Sequence, residues 1–136
     1  RIPWRLQIGR LAEVLRRFDA IGVVDSTGIG DKIYDDLVAE NLTIEPYTFT
    51  NESKAQIIER LALDVECGMV RWPYESDVHN EMEIFQAEKL PSGRWRYAAP
   101  EGEHDDTVMS KALANWGCHT FGAVPPSFVE EDGIDR

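Results

Sequence analysis

Ala20-Ile-Gly-Val-Val-Asp25-Ser-Thr-Gly-Ile-Gly30-Asp31 is the stretch that decides the fold. Its first five residues are a short continuous apolar run, the pattern of a buried central strand. The run ends in a carboxylate, and the small residues after it make a loop and the start of a helix. Upstream, Ile8, Leu11, Ala12, Leu15 and Phe18 recur at helical spacing and predict an amphipathic helix over 6–18. Downstream, Ile33, Leu37 and Val38 give the following helix its buried side. Helix, strand and helix in succession point to a layered α/β fold.

The alternation continues outward. Residues 44–49 read as a second strand, with Pro46 demoting it to an edge or a bulge. Asn51-Glu-Ser-Lys54 opens a long helix with Ile58, Leu61, Ala62 and Val65 on one face and Gly68 just past its end. Met69-Val-Arg-Trp72 reads as a short strand stopped by Pro73, and Val78, Met82 and Phe85 mark a helix. Ala87–Leu90 and Arg94–Ala98 flank Pro91-Ser-Gly93 as a hairpin. Met109, Ala112, Leu113 and Trp116 mark a last helix near 106–116. The expected architecture is a mixed sheet with helices on its faces.

The 136 residues fit one domain, and 43% hydrophobic content with 13 aromatic residues argues against wholesale disorder. The domain is read as residues 1–120, followed by an acidic tail, 121–136. No apolar run approaches a membrane span, and no signal-peptide pattern opens the chain, so no membrane partner is expected. Cys67 and Cys118 are too few and too far apart for a disulfide scaffold or a zinc cluster. A net charge of −11 speaks against a protein that simply coats DNA, because such proteins draw their affinity from cations meeting phosphates. It leaves room for an enzyme that reaches nucleic acid through bound metal ions. Residues 1–18 are locally basic, with five arginines against Glu13.

Two places can carry chemistry. Asp25 closes the central strand, and in α/β sheets ligands gather at the carboxyl ends of strands; the plain alternative is that Asp25 or Ser26 caps a turn. Gly28 and Gly30 spell no phosphate loop and read as turn glycines. The second place is Pro100-Glu-Gly-Glu-His104-Asp105-Asp106-Thr-Val, which leads straight into the last helix. Acids there serve as caps and suit the positive end of the helix dipole. Two carboxylates beside a histidine exceed what a cap needs, so one is free to point at a cation. Asp25, Asp105 and Asp106 together form a hard oxygen donor set of the kind that Mg²⁺ and Mn²⁺ prefer, and a pair of such ions can cleave a phosphodiester.

The remaining candidates are weaker. His79 and His119 lack partners at ligand spacing and read as surface residues. The four tryptophans read mainly as core or sheet-face residues. Trp72 and Trp95, beside Arg71, Arg94 and Arg96, are candidates for stacking on bases. Lys54 sits where a cation is slightly unfavourable to the helix dipole, which hints at a phosphate contact.

Val23-Val-Asp25-Ser-Thr-Gly-Ile-Gly-Asp, Phe49-Thr-Asn-Glu-Ser-Lys54 and Pro100-Glu-Gly-Glu-His-Asp105-Asp106-Thr-Val, in this order, resemble the nuclease domain of the large terminase subunit of tailed bacteriophages. The likeness runs from about residue 3 to residue 117, and the helix-heading His-Asp-Asp is its most specific part. The resemblance implies an RNase H-like fold that cuts concatemeric double-stranded phage DNA during packaging, using two Mg²⁺ or Mn²⁺ ions in the host cytoplasm. It implies Asp25 as the family's second metal-binding acid and Asp105 and Asp106 as its closing pair, with Asp106 the more direct ligand. His104 and Ser26 then stand beside the ligands, and Lys54, Arg94 and Arg96 are candidate DNA contacts. Implied partners are the packaging ATPase domain, the small terminase subunit and the portal. The family's first catalytic aspartate lies on strands that precede the segment matching residue 1, so the sheet is expected to lack those first strands and the site one carboxylate. Another RNase H-like nuclease of the resolvase or transposase type, and a non-catalytic docking module, are the competing readings.

Overall fold

The computed structural model describes residues 3–27 and 31–122. Gly28, Gly30, the side chain of Ile33 and nearly all of the acidic tail lie outside the described residues.

The first helix, α1 (Trp4–Phe18), buries Ile8, Ala12 and Leu15, three of the five apolar positions of its stripe. Leu11 is half-buried, and Phe18 is exposed. The helix stops at Asp19, which adopts the left-handed conformation at φ 47°, while Arg16 and Arg17 in the last turn complement the negative end of the dipole. Strand β1 (Gly22–Asp25) follows, then α2 (Asp31–Ala39) and β2 (Ile44–Tyr47). The two strands pair in parallel, with Gly22 opposite Ile44 and Asp25 opposite Tyr47, so β1-α2-β2 is a crossover unit. Leu37 is buried on α2 as expected, whereas Val38 is exposed, which narrows the helix's buried side. Pro46 is tolerated because the carbonyls of Thr43 and Tyr47 face β1, accepting from Gly22 and Ser26; the alternation turns the proline nitrogen to the other side.

Helix α3 (Asn51–Glu66) starts with a capping box: the Thr50 hydroxyl accepts from the Ser53 amide, and the Ser53 hydroxyl accepts from the Thr50 amide. Its buried stripe is Ile57, Ile58, Leu61 and Asp64. Ala62 and Val65, assigned to that face from the sequence, are exposed. The face is rotated toward the residues one position earlier, and it ends in a carboxylate. Residues 69–72 form no strand, although Val70 packs against the core; Met69 is largely exposed, and among the described residues no strand pairs with the segment. Helix α4 (Ser76–Ile84), the antiparallel strands β3 (Gln86–Lys89) and β4 (Trp95–Ala98), and α5 (Asp106–Phe121) complete the order. Parallel and antiparallel strands with flanking helices are therefore present, but the two kinds of pairing fall in two separate two-stranded sheets. Helix α5 runs to Phe121 with Gly122 as its left-handed cap, so the helix crosses the boundary drawn at residue 120.

Side chains alternate across a strand, and this places two cores on opposite faces of the parallel pair. Val24 and Ile44 pack with Ile8, Leu15 and Leu37 under α1 and α2. Val23 and Tyr47 pack with Ile57, Ile58, Leu61, Val108, Ala112 and Leu113 under α3 and α5. Two glycines allow the close approach. A Cβ on Gly22 would lie 2.8 Å from Leu15 Cδ1, and one on Gly117 would lie 2.9 Å from Val23 Cγ2. Of the tryptophans, Trp116 belongs to the core and Trp72 is half-buried beneath the Lys111 ammonium, 5.2 Å from its ring centre. Trp4 on α1 and Trp95 on β4 are exposed, so neither is a core residue.

Candidate functional site

Asp25 is the last residue of β1. By strand alternation its side chain shares the face of Val23 and Tyr47, the face that α3 and α5 cover. One carboxylate oxygen, Oδ1, accepts from the Thr27 amide at 2.8 Å and folds the chain into a turn. Two further bonds staple this turn to the end of β2: Ser26 Oγ pairs with Thr48 Oγ1 at 3.0 Å, and Thr27 Oγ1 accepts from the Phe49 amide at 2.8 Å. Ser26 thus orders the loop that carries Asp25.

Helix α3 leaves the carboxyl end of β2 within four residues, which puts its first turn at the same end of the sheet as Asp25. There Lys54 Nζ donates to Asp105 Oδ2 at 3.1 Å, with both side chains 28% exposed. The structure therefore gives Lys54 a carboxylate partner at the head of α5. The same contact brings Asp105 and Asp106 to the end and face of the sheet that Asp25 occupies. Asp106 is exposed and His104 likewise.

The sequence left open whether the acids at residues 105 and 106 only cap α5. Asp105 holds the N-cap position, yet its side chain makes no cap hydrogen bond. The cap comes from α4: Glu81 Oε2 accepts from the Thr107 amide at 2.8 Å and from its hydroxyl at 2.6 Å. These bonds, first the hydroxyl and then the amide, hold the Glu81 carboxyl below the usual range, with His104 and Lys111 adding charge attraction. Asp105 is left without a cap bond of its own.

Arg94 and Arg96 lie on the exposed β3–β4 hairpin, which docks on α3 through Tyr97. The Tyr97 hydroxyl donates to Glu59 Oε1 at 2.8 Å, and burial followed by that carboxylate raises the phenol above its ordinary value. Arg96 faces Glu88 across the hairpin at 3.9 Å. The hairpin stands against the outside of α3, whereas Lys54 stands at the head of α5.

One functional-looking cluster was missed. Asp64, only 3% exposed, accepts through Oδ2 from Asn115 Nδ2 at 2.8 Å and Arg60 Nε at 3.1 Å, and pairs with His119 Nε2 at 2.7 Å. Asn115 first, and His119 and Arg60 after it, outweigh burial and lower its carboxyl to about 2. His119 is exposed, as a surface residue is expected to be, and its ring reaches Asp64 across the two helices. The available signal was the i,i+4 pair Arg60–Asp64; its continuation to Asn115 and His119 crosses more than fifty residues. Beside it a cavity of about 210 Å³ is lined by Tyr47, Gln56, Arg60, Trp116 and His119.

In donor chemistry, Asp25, Asp105 and Asp106 suit a hard divalent cation, although Asp25 spends one oxygen on the Thr27 amide. In number they fall short, since no group of three His, Cys, Asp or Glu side chains able to hold a metal ion forms among the described residues.

No protein-family model matches the sequence. In fold, the chain matches the magnesium-bound large terminase nuclease of the thermophilic phage G20c with a TM-score of 0.76 and 32% identity, over 85% of this chain and 62% of that one. The large terminase nuclease domain of Thermus phage P74-26 gives a TM-score of 0.74 at 31% identity, over 84% and 60%. The G20c nuclease has also been solved with bound cobalt and with bound zinc. These matches place the fold in the RNase H-like class of α/β nuclease domains. In sequence, the large terminase subunits of Thermus phage G20c and Thermus virus P23-45 are each 34% identical over 113 residues, 82% of this chain. The chain is a homologue of the nuclease domain of the phage large terminase subunit. It spans about a quarter of the length of these curated relatives and a little under two thirds of the solved nuclease chains.

Proposed function

We propose that this chain forms the body of a metal-dependent endonuclease domain of a phage DNA-packaging terminase. Its expected substrate is concatemeric double-stranded DNA, cut by two-metal phosphodiester hydrolysis in the cytoplasm of the bacterial host. The observation that carries the reading is homology to terminase nucleases, and it is supported by Asp25 at the end of β1 and by Asp105, which Lys54 holds near that end of the sheet. Asp25 and Asp106 would hold a Mg²⁺ or Mn²⁺ ion, with Asp105 completing the pair. Such an ion, when bound, supplies an activated water and charge neutralisation for the leaving oxygen. The chain's own residues do the rest. The Thr27 and Ser26 bonds fix where Asp25 points. Lys54 restrains Asp105 and brings a cation to the approach of a phosphate, and His104 is placed beside the acids. Arg94 and Arg96 extend positive charge along α3 for the DNA backbone. Further carboxylates are assigned to the part of the solved nuclease domains that this chain does not span. The ATPase domain, the small subunit and the portal are the assembly partners.

The docking-module reading draws on one specific observation, the absence of a three-ligand group among the described residues. The test is plasmid nicking and linearisation in Mn²⁺ by this chain, by Asp25→Asn and by Asp106→Asn, alongside a longer chain bearing the family's first strands. Metal-dependent cutting lost in both substitutions supports the nuclease. Silence in every chain favours the docking module.

A further inference from the structure

We infer that Glu81 is a positioning residue for Asp105: by taking the Thr107 amide from a neighbouring helix, it keeps the Asp105 carboxylate turned away from the helix start and toward Lys54. The inference rests on the nuclease reading above and assigns a role to a residue that nothing in the sequence marked.

The argument is an accounting of donors. The first turn of any helix leaves amide groups without intrahelical acceptors, and an aspartate at the N-cap is among the best residues to satisfy one. Asp105 stands at that position and does not do so. The amide it would take, that of Thr107, belongs to Glu81 at 2.8 Å, and the same oxygen takes the Thr107 hydroxyl at 2.6 Å. Glu81 thus satisfies one of the two first-turn amides, those of Thr107 and Val108, that an N-cap side chain can take. Its carboxylate turns instead to Lys54 at 3.1 Å, the direction of the strand end and Asp25. Helix α4 lies against α5, and Glu81 is half-buried in that contact, so the cap is held by packing as well as by hydrogen bonds. Without Glu81, Asp105 at the N-cap is in the position from which an aspartate takes that amide. A swing of its side chain by one rotamer would satisfy the helix and withdraw a ligand.

The experiment is a double-substitution cycle on the full chain with two readouts, thermal unfolding without metal and Mn²⁺ affinity by electron paramagnetic resonance. Asp105→Ala alone is expected to move the melting temperature little. In the Glu81→Ala background it is expected to lower it by about 3–5 °C more, because it then removes the substitute cap. Glu81→Ala is expected to weaken Mn²⁺ binding about tenfold, and Glu81→Gln, whose carbonyl still accepts from Thr107, to restore most of it. Equal effects of Asp105→Ala in both backgrounds overturn the capping exchange. Unchanged Mn²⁺ affinity in Glu81→Ala, while Asp25→Asn and Asp106→Asn abolish binding, overturns the positioning role and leaves the nuclease reading standing. Mn²⁺ binding indifferent to Asp25 and Asp106 overturns both.

Discussion

Helices α3 and α5 run side by side in the same direction, and each end of the pair holds an aspartate against a basic or polar partner. The two ends differ in everything else. At the head, Lys54 and Asp105 meet at 3.1 Å with more than a quarter of each side chain in solvent, and Asp106 beside them is exposed. Fifty-one residues separate that pair, as they separate Asp64 and Asn115 ten residues further along both helices. There Asp64 is almost wholly buried and its Oδ2 collects three partners. A buried carboxylate must be satisfied inside the protein, and its ionised form is then fixed by structure. A carboxylate left exposed, and excused from capping, has capacity to spare for a ligand. The residue type is the same; burial and partners divide the roles.

The division is testable at both ends. Asp106→Asn is expected to reduce Mn²⁺-dependent nicking by about 100-fold or more with little change in urea stability, whereas Asp105→Asn, engaged by Lys54, should cost less activity. Comparable losses of stability in Asp106→Asn would erase the contrast. At the other end, Asp64→Ala is expected to cost about 3 kcal/mol in urea unfolding, since it orphans buried Asn115 and loses charge-assisted bonds from Arg60 and His119. Acid titration of stability separates the ends again. The Asp64 carboxyl is depressed to about 2 in the folded chain, so its contribution is fully present above the unfolded value near 3.8 and is lost as pH falls through 2. The expected size is about 2 kcal/mol, read from urea midpoints between pH 5 and pH 2 and absent in Asp64→Asn. The smallest effect belongs to the head: Lys54→Met should change stability by less than about 1 kcal/mol, because a partly exposed ion pair gains little over its hydrated parts. A larger loss would show that the Lys54–Asp105 pair is structural too.

The same division explains what the sequence could show. Amphipathic periodicity located α1, α3 and α5, the apolar run located β1, and Pro91-Ser-Gly93 located the hairpin, because each of these signals is local. Asp25 and Asp106 were visible as acids at element ends. The acid on the inner face of α3 was not, since only its partners on α5 distinguish Asp64 from an exposed helix aspartate. Nor was the role of Glu81, which depends on α4 crossing the start of α5. The segment at 69–72 failed as a strand for the converse reason: a favourable local pattern found no ladder to join. Phe18 continued the helical stripe of α1, but it falls in the last residue of the helix, and the packing leaves it outside.

The constant spacing between α3 and α5 also sets an order of assembly. The turn of the β3–β4 hairpin closes over a few residues, and α1, β1, α2 and β2 are neighbours in sequence, so these units form at low entropic cost. Docking α5 on α3 requires bringing together residues some fifty positions apart, with α4 and the hairpin already in between. It is therefore expected to follow the formation of those local units, and it is the step that carries Asp105 toward the strand end that holds Asp25. In a chain emerging from the ribosome, Asp105 and Asp106 stay apart from Asp25 until α5 has been made and has docked on α3.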